Sequence, residues 1–309
     1  MKNKELLLSV VVCTYNRAKF VIESLDSLVA QDFDKSRFEV VLVNNNSPDN
    51  TAELCEGYGA KHPELQYSYY VEYEPGVSPA RNRGAAEARA EIIVFIDDDG
   101  VAQPNLLTVV YDFFQKTPDA AATGGRVFPN FETKRPRWMS RFLVPLTSSL
   151  DMGDKVRLFK RRYFPMGANM AFRASVFREY GDFHLGLGRK KLNLAGAEEK
   201  DLFYRIMRAG KKVYYIPQAV VYHYVPDARL AYSFFKRQAV GIGFSERYRA
   251  KNISTGEYVL SLLLEAMKWG ATFFLSLFYL ITLRPAKAWR LVVFRWYVTL
   301  GMLGLNKKM

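Results

Sequence analysis

Short apolar runs alternate with longer polar or amphipathic stretches from residue 6 to about residue 127. The runs are rich in Val and Ile, and each stretch between them has the length of a helix. Strands that alternate with helices in this way predict an α/β fold with a doubly wound, mostly parallel sheet covered on both faces. The predicted strands are Leu6–Cys13, Phe38–Val43, Leu65–Val71, Glu91–Ile96 and Ala120–Val127.

Polar segments lie at the ends of four of these predicted strands. The carboxyl ends of parallel strands meet at one edge of a sheet, where folds of this class bind their ligands. We therefore expect the four polar segments to converge on one rim. They are Thr14-Tyr15-Asn16-Arg17, Asn44-Asn45-Asn46-Ser47, Glu74-Pro75-Gly76 and Asp97-Asp98-Asp99.

The middle of the chain is less regular. Residues 128–165 carry prolines and basic residues without a periodic pattern, and we expect them to form a long excursion over the site. A helix is predicted from Glu198, because apolar residues then recur at helical spacing and Gly210 supplies a stop. A strand, Val213–Pro217, is expected to follow.

Beyond residue 230 the sequence becomes aromatic, aliphatic and basic. The apolar segment Trp269–Leu283 is shorter than the roughly 20 residues that span a bilayer, and Arg295 interrupts the second segment, Leu291–Leu305. Amphipathic helices that lie in the interface, attracted to anionic lipid, are therefore favoured. Packing against the α/β domain or a sister subunit is the alternative, which leaves a homo-oligomer open. We divide the chain into an α/β domain, residues 1–230, and a helical membrane-associating region, residues 231–309.

The charge narrows the choice of partners. The 309 residues are 49% hydrophobic and 24% charged, as in an ordinary globular protein, but the net charge is +13. Nucleic acid, an anionic leaflet and a phosphorylated substrate would all fit such a charge. Nucleic acid is disfavoured, because the chain has no recognised nucleic-acid motif and an acidic rim would repel phosphates unless a metal were bound.

Cysteine usage and the N-terminus indicate a reducing compartment. Cys13 and Cys55 show no paired spacing and no neighbouring histidine, so both are expected to be reduced and structural. The N-terminal apolar run has no small-residue cleavage site after it, and we interpret it as the first strand of a cytoplasmic protein rather than as a signal peptide.

The triplet Asp97-Asp98-Asp99 follows the β-rich run Ile92–Ile96. Three adjacent carboxylates repel one another, and a hard divalent cation such as Mg²⁺ or Mn²⁺ that bridges to a diphosphate relieves the repulsion. The alternative is a solvated acidic turn. A preceding buried strand favours the metal site.

Glu198 and Glu199 open the predicted helix, where the helix dipole favours negative charge with or without a function. Consecutive helical residues point about a third of a turn apart, so one carboxylate can serve the helix end while the other acts as a general base. Asp201 is expected to pair with Arg205. His223 follows a strand and, taken alone, is more typical of a structural residue than of a ligand.

The order of these motifs resembles that of the family 2 glycosyltransferases, which have the Rossmann-like GT-A fold. Each motif is weak alone, but their order over roughly residues 6–225 is specific. The motifs are Val11-Val12-Cys13-Thr14-Tyr15-Asn16-Arg17, Val43–Thr51, Pro79-Ala80-Arg81-Asn82-Arg83-Gly84, Phe95–Asp99, Glu198-Glu199, and Ala209-Gly210 leading to Pro217–His223.

The resemblance implies an inverting, metal-dependent transfer of a sugar from a nucleotide-diphosphate sugar, and it makes residues 1–230 a nucleotide-sugar-binding catalytic domain. It places Tyr15 and Asn45 at the base, with Arg81 supporting the nucleotide. The residues that it assigns to the nucleotide are Thr14, Tyr15, Asn16, Arg17, Asn45, Ser47, Arg81, Asp97 and Asp98. Those that it assigns to Mn²⁺ or Mg²⁺ are Asp97, Asp99 and His223, with Asp99 the favoured ligand of the triplet. Gly186 and Gly188 match the loop over the donor sugar.

The chain departs from the family pattern at two places. Glu199 stands where the family usually has the catalytic Asp, so the resemblance assigns catalysis to Glu199 or to Glu198. Asn44 replaces a frequent Asp of the nucleotide loop, and uridine is favoured because Asn45 can accept a hydrogen bond from its imide N–H.

The acceptor is inferred from membrane association alone. Val292 stands where the Gln-x-x-Arg-Trp motif of processive synthases requires Gln. We therefore expect transfer of one sugar, a hexose or N-acetylhexosamine, to a lipid-linked saccharide for bacterial surface polysaccharide. The protein is expected on the cytoplasmic face of the cell membrane, as a peripheral or monotopic protein. The alternatives are a catalytically inactive membrane scaffold of the same fold and a Mg²⁺-dependent nucleotidyltransferase, although the latter would want a glycine-rich phosphate loop that is missing after the first strand.

Overall fold

A computed structural model describes residues 5–160, 163–190, 194 and 196–305. The chain forms two compact units. The first unit is Met1–Asn130, Ser148–Leu185 and Glu198–Tyr224, and the second is Phe131–Thr147, Gly186–Ala197 and Val225–Met309. The functional division at residue 230 stays a prediction.

The first unit is an α/β structure built on one nine-stranded sheet. Its strands are β1 (Leu8–Thr14), β2 (Phe38–Asn44), β3 (Gln66–Val71), β4 (Ile92–Asp97), β5 (Gly100–Ala102), β6 (Ala120–Phe131), β7 (Arg157–Leu158), β8 (Met170–Arg173) and β9 (Lys212–Val225). Their order is β3-β2-β1-β4-β8-β6-β9-β5, and β7 pairs with β9.

The parallel half of the sheet matches the sequence prediction. Strand β1 pairs in parallel with β2 and β4, and β2 pairs in parallel with β3. In this register Thr14 lies beside Asn44, and Cys13 lies beside Asp97. The polar segments that follow β1, β2 and β4 therefore meet at one edge.

Antiparallel pairs complete the sheet. Strand β8 pairs antiparallel with both β4 and β6, and β9 pairs antiparallel with β5 and β7. Strand β9 has 14 residues and so extends well past the predicted end at Pro217. In that extension Gln218 and Tyr222 are exposed, whereas the three residues between them and His223 are buried.

Helices cover both faces of the sheet, as a doubly wound fold requires. Those of the first unit are α1 (Val21–Val29), α2 (Thr51–Glu56), α3 (Tyr58–Lys61), α4 (Val77–Glu87), α5 (Leu106–Lys116), α6 (Ser175–Tyr180) and α7 (Glu198–Arg208). Alternate residues of β1 point to opposite faces. Val10 and Val12 belong to one buried core with Leu25 of α1, whereas Val11 belongs to a second core with Ala80 of α4.

Helix α4 lies close to β1 because Gly84 has no side chain. A Cβ atom at Gly84 would lie 2.3 Å from Cγ1 of Val11. The helix begins after Gly76, whose φ of +136° is a conformation that glycine adopts readily. This packing fixes Arg81, about one turn before Gly84, at the edge where the polar segments meet.

The second unit is helical. Its helices are α8 (Asp227–Leu230), α9 (Tyr232–Ile253), α10 (Thr255–Ile281) and α11 (Pro285–Leu303). Helices α9 and α11 cross at two glycines: a Cβ at Gly243 would lie 2.0 Å from the Val298 carbonyl oxygen, and one at Gly301 would lie 2.2 Å from that of Val240. The crossing therefore brings the two backbones into direct contact.

Helix α10 is longer than the sequence pattern indicated. It has 27 residues, which at the usual rise is about 40 Å, and by length and composition alone it could cross a membrane. Glu265 and Lys268 interrupt the apolar pattern in the sequence. In the structure Glu265 is buried and pairs with Arg295 of α11 at 3.0 Å, so that charge does not end the helix.

Helix α10 has its polar face buried and its apolar face exposed. Its buried residues are Ser261, Glu265, Thr272, Ser276 and Tyr279. Its exposed large apolar residues are Val259, Leu260, Leu263, Met267, Phe273, Phe274, Leu277, Phe278, Leu280 and Ile281. A surface helix of a water-soluble protein has the opposite arrangement.

Candidate active site

The acidic triplet lies where β4 ends and the chain turns into β5. The side chain of Asp97 is 30% exposed, whereas Asp98 and Asp99 are buried. Buried adjacent carboxylates are not a solvated turn, because burial is costly for an ionised group unless cationic groups lie beside it. The alternative of a solvated acidic turn therefore does not fit the structure.

His223 completes a group that could hold a metal ion. It lies on β9 opposite Gly100 of β5, and its Nε2 is 3.0 Å from Oδ1 of Asp99. The ligand atoms of Asp97, Asp99 and His223 all lie within 4.8 Å of one another. Two carboxylates and one imidazole are a suitable donor set for a divalent cation such as Mn²⁺. The structure thus brings the three predicted ligands together.

Asp98 and Cys13 are the next candidates for donors at this site, and burial affects both. Burial raises the pKa of Asp98 to about 7, with Arg17 opposing the shift and Asp99 adding to it. Burial also raises the pKa of the Cys13 thiol to about 12, again with a neighbouring cation, Arg81, opposing it. A protonated thiol is a poor metal ligand, so the carboxylates and the imidazole are the better candidate donors.

Arg17 supplies positive charge beside Asp98 and Asp99. Its Nε lies 3.7 Å from Oδ1 of Asp98, and its Nη2 lies 3.6 Å from Oδ2 of Asp99. Its backbone N–H donates to Oγ1 of Thr51 at 2.9 Å. This hydrogen bond anchors the loop after β1 to the start of α2. The Arg17 guanidinium then lies beside the carboxylates of Asp98 and Asp99.

The predicted nucleotide loops are tied to each other. Asn16, with a left-handed φ of +56°, donates its backbone N–H to Oγ of Ser47 at 3.0 Å. The Ser47 hydroxyl in turn donates to Oδ1 of Asn44 at 2.6 Å. Tyr15 between them is 40% exposed, which leaves its ring accessible to a ligand. Thr14, the last residue of β1, is buried below this loop and is not accessible in the same way.

The side chain of Asn45 forms three hydrogen bonds with the loop that follows β3. Its amide donates to the carbonyl oxygens of Glu72 and Glu74 at 2.9 and 2.7 Å, and its Oδ1 accepts from the N–H of Gly76 at 2.7 Å. These bonds give Asn45 a role in shaping the loop. Its contact with the base stays a prediction.

Arg81 connects the cation site to the paired glutamates. It is buried, with Nη2 at 3.1 Å from Asp97 and Nη1 at 2.9 Å from Glu198 and 3.6 Å from Glu199. Burial alone would lower the pKa of Arg81, but the three carboxylates outweigh it and raise the pKa further. A support of the nucleotide by Arg81 stays a prediction, whereas its contacts show it holding three carboxylates in place.

The two glutamates at the start of α7 differ in environment. Glu198 is buried against Arg81, whereas the side chain of Glu199 is 18% exposed and lies further from that cation. Glu199 therefore has the more accessible carboxylate. The predicted pair within α7 is confirmed, since Nε of Arg205 lies 3.0 Å from Oδ2 of Asp201.

Sequence reasoning missed two contacts around Arg81. A Cβ at Gly167 would lie 2.3 Å from Nη2 of Arg81 and 2.5 Å from Oε1 of Glu199, so only glycine leaves room for this pair. The Phe183 ring lies 5.7 Å from the guanidinium carbon and is held by two backbone hydrogen bonds to the side chain of Asn82. The spacing of Gly167 and Asn82 in the sequence carries no signal for either contact.

The predicted donor-sugar loop belongs to the second unit. There Gly186 lies against Tyr248, whose hydroxyl oxygen would be 2.3 Å from a Cβ at this position. Gly188 has a φ of +89°. Residues 191–193 and 195 of the same loop lie outside the described chain. A position over the donor sugar stays a prediction.

The fold and this site define an α/β protein with a candidate cation site and further carboxylates at the carboxyl edge of its sheet. Residues 9–181 match the family model described as glycosyl transferase family 2. The match covers more than half of the chain, and the protein belongs to that family of glycosyltransferases. The motif order had indicated the same family.

Two curated relatives are similar over most of their length. The chain is 26% identical to a glucosyl-dolichyl phosphate glucuronosyltransferase of Haloferax volcanii over 244 residues, 77% of this chain and 76% of that protein. It is also 26% identical over 244 residues to the succinoglycan biosynthesis protein ExoM of Rhizobium meliloti, 77% of this chain and 73% of that protein. Both similarities extend beyond the segment that the family model matches.

A solved structure shares the fold. It is the mannosyltransferase PcManGT from Pyrobaculum calidifontis in complex with GDP-Man and Mn²⁺, with a TM-score of 0.64, 19% identity, and coverage of 99% of this chain and 89% of that chain. The fold is thus that of the GT-A glycosyltransferases, as the motif order predicted.

Proposed function

We propose that the protein is an inverting, metal-dependent glycosyltransferase that moves one sugar from a UDP-sugar to a hydroxyl of a lipid-linked saccharide. The observation that carries the proposal is the Arg81 guanidinium, which contacts Asp97 on one side and Glu198 and Glu199 on the other. A metal ligand and a candidate base are thus held by one buried side chain. The sugar to be transferred would bind between these two groups.

The metal would be held by Asp97, Asp99 and His223. When bound, it would neutralise charge on the departing diphosphate. The mixture of carboxylates with an imidazole favours Mn²⁺ over Mg²⁺, which prefers an all-oxygen shell. Arg17, beside the triplet, adds positive charge on the side of the nucleotide loops.

Glu199 is the proposed general base. Its carboxylate takes the proton of the acceptor hydroxyl, whose oxygen forms a bond to the anomeric carbon as the bond from that carbon to the diphosphate breaks. Attack opposite the leaving group inverts the configuration. Arg81 orients Glu199, and the buried Glu198 holds Arg81 in turn, so Glu198 acts as a positioning residue.

Uridine is proposed as the base on the strength of the loop chemistry. Oδ1 of Asn45 can accept a second hydrogen bond besides the one from Gly76, and the exposed Tyr15 ring offers a stacking surface. The choice stays open to test, because the similar mannosyltransferase structure holds GDP-Man.

A lipid-linked acceptor is supported by the relatives and by α10. The name of the Haloferax relative specifies a dolichyl phosphate-linked sugar, and that of ExoM specifies the biosynthesis of a polysaccharide. The exposed apolar face of α10 suits contact with lipid acyl chains. We propose that the protein associates peripherally with the cytoplasmic face of the membrane through this helix, and not as part of an oligomer interface.

A ligand screen followed by one substitution tests the proposed reaction. UDP with Mn²⁺ should raise the melting temperature more than GDP, CDP, ADP or dTDP with Mn²⁺. Transfer from the matching nucleotide sugars should then require Glu199 but not Glu179, an exposed residue of α6, when each is changed to Gln. Equal transfer by the Glu199→Gln protein and wild type would overturn the assignment, and an inactive scaffold would show neither nucleotide selectivity nor transfer.

A further inference from the structure

Four side chains form a continuous group where α9 meets α11. Tyr232 and Lys236 are one turn apart on α9, and Arg290 and Tyr297 are two turns apart on α11. The two tyrosine hydroxyls are 3.3 Å apart. The guanidinium carbon of Arg290 lies 4.8 Å from the centre of the Tyr232 ring, and Nζ of Lys236 lies 5.2 Å from that of Tyr297. We name these four residues the α9–α11 basic cluster.

Aromatic rings hold Arg290 without using its hydrogen-bond donors. Besides Tyr232, the rings of Trp138 and Phe235 lie 5.1 and 5.7 Å from its guanidinium carbon. Attraction between a cation and a ring face does not consume N–H groups. Arginine has five such donors in a planar fork that matches phosphate oxygens. Arg290 is therefore positioned but retains capacity for an anionic ligand.

No carboxylate of the described chain pairs with Arg290 or Lys236. The acidic residues of the neighbouring helices have other partners: Glu246 and Glu257 pair with Arg249, and Glu265 pairs with Arg295.

The two cations lie beside the same pair of hydrogen-bonded tyrosines. The hydrogen bond with Tyr297 raises the pKa of Tyr232, while Arg290 and Lys236 lower it. Arg290 lies over one ring of this hydrogen-bonded tyrosine pair and Lys236 over the other. Two such cations, without a carboxylate partner in the described part of the chain, favour an external anion.

We infer that the α9–α11 basic cluster binds a phosphate group carried by a lipid. Arginine and lysine form charge-assisted hydrogen bonds with phosphate oxygens, and tyrosine hydroxyls can donate to the same oxygens. The exposed apolar face of α10, in the same unit, suits the hydrocarbon part of such a ligand. The inference rests on the proposed membrane association and adds a specific headgroup chemistry to it. A lipid acceptor and a membrane phospholipid would both bring this chemistry.

Flotation of the full chain with vesicles tests the inference. The vesicles contain phosphatidylcholine alone, with phosphatidic acid, or with a carboxylate lipid that gives the same surface charge. Wild type should prefer the phosphate vesicles. Arg290→Gln and Lys236→Gln should each lower binding to them, by about fivefold for one lost basic charge, and should remove the preference over carboxylate. Arg284→Gln, which removes one charge just before α11, should lower binding to both anionic vesicles equally and keep the preference.

Tyrosine substitutions separate recognition from charge. Tyr232→Phe and Tyr297→Phe leave the net charge unchanged and should weaken only the phosphate preference. Polyprenyl phosphate at the same mole fraction as phosphatidic acid identifies the source: stronger binding to either one supports the site and names its ligand. Far-UV circular dichroism checks that each variant is folded.

The outcomes distinguish this site from the proposed function. Wild type that floats with every vesicle, without preferring phosphate, would overturn the site but not the membrane association. The site would also be refuted if Arg284→Gln removed the preference as fully as Arg290→Gln does. Wild type that floats with none of the vesicles would refute both. No nucleotide sugar is present, so a failure of the proposed transfer reaction does not affect the result.

Discussion

Arg81 on α4 and Asp97 at the end of β4 form an ion pair in which Nη2 lies 3.1 Å from Oδ1. The other terminal nitrogen of the same guanidinium contacts Glu198 and Glu199. Arg81 lies on α4, Asp97 lies on β4, and the two adjacent glutamates lie on α7. Because one buried cation holds carboxylates on both sides, a change on either side of it should be felt on the other.

Glu199→Gln should abolish most of the transfer while leaving the fold intact. An amide cannot take the acceptor's proton, and general bases contribute about 10²- to 10⁴-fold to rates. The side chain of Glu199 is partly exposed and 3.6 Å from Arg81, so the loss of its charge should cost little stability. Steady-state transfer and thermal unfolding of the same preparation measure the two effects.

Glu198→Gln should behave differently. Its carboxylate is buried and lies 2.9 Å from Arg81, and removing one partner of a buried pair costs about 3–5 kcal/mol. A clear drop in melting temperature is expected, with transfer lost in parallel as Arg81 shifts. A stable but inactive Glu198→Gln protein, together with an active Glu199→Gln protein, would assign the base to Glu198.

Gly167→Ala should reduce transfer by displacing the Arg81–Glu199 pair. The new methyl group would lie 2.3 Å from Nη2 of Arg81 and 2.5 Å from Oε1 of Glu199. A misplacement of about 1 Å can lower a rate about 10²-fold. The expected result is a fall in kcat with a much smaller change in the Kd for UDP. Gly57→Ala is the control, because its Cβ would meet only the Glu53 carbonyl oxygen, at 3.5 Å.

Asp99→Asn should remove stabilisation by Mn²⁺. A ligand present at about 100 times its Kd stabilises the folded state by about 2.7 kcal/mol, so wild type should melt at a distinctly higher temperature with the ion. The variant should show little of this shift, because an amide is a weaker ligand than a carboxylate. Asp112→Asn, at an exposed position of α5, should keep the full shift. A full shift in the Asp99→Asn protein would contradict the site.

The parallel half of the fold could be predicted because each strand leaves a long pattern. Strand β1 reads as a continuous apolar run that ends at Thr14, and β4 as another that ends at Asp97. Strands β5 and β8 have three and four residues, which is too short for a period-two pattern to be distinguished from a loop. These two antiparallel strands were therefore not predicted, although the sequence did indicate β6 and the first part of β9.

The sequence indicated which residues would come together in the candidate metal group, but not the contacts around them. The order of motifs selected Asp97, Asp99 and His223, which the structure brings together. The pairing of Arg81 with Glu198 joins residues 117 positions apart, and no local pattern encodes such a contact. A buried arginine held by several carboxylates is recognised only once the helices that carry them have been placed.

Phe274→Ser should weaken membrane binding without unfolding the protein. Phe274 is 70% exposed on α10, so its replacement removes little packing within the protein and should not lower stability. Burying a phenylalanine side chain in an apolar phase contributes about 1.5–3 kcal/mol, and its loss should lower vesicle affinity at least tenfold. Tyr73→Ser removes an aromatic ring that is 74% exposed in the first unit and should leave flotation unchanged. Equal flotation of both variants would argue against α10 as the lipid-contacting helix.

Glu265 and Arg295 should be strongly coupled in stability. Their ion pair, at 3.0 Å, lies between α10 and α11 with the Glu265 carboxylate almost fully buried. Glu265→Leu or Arg295→Met alone leaves one charge buried and should cost about 3–5 kcal/mol, whereas the double substitution should recover most of that loss. Thermal unfolding in detergent measures all four proteins of the cycle. Lys268→Met is the control, because its amine is exposed and 3.7 Å from Glu265 and should contribute little. Additive losses in the double variant would show that the two charges act independently, and that α10 and α11 are held together by their apolar contacts instead.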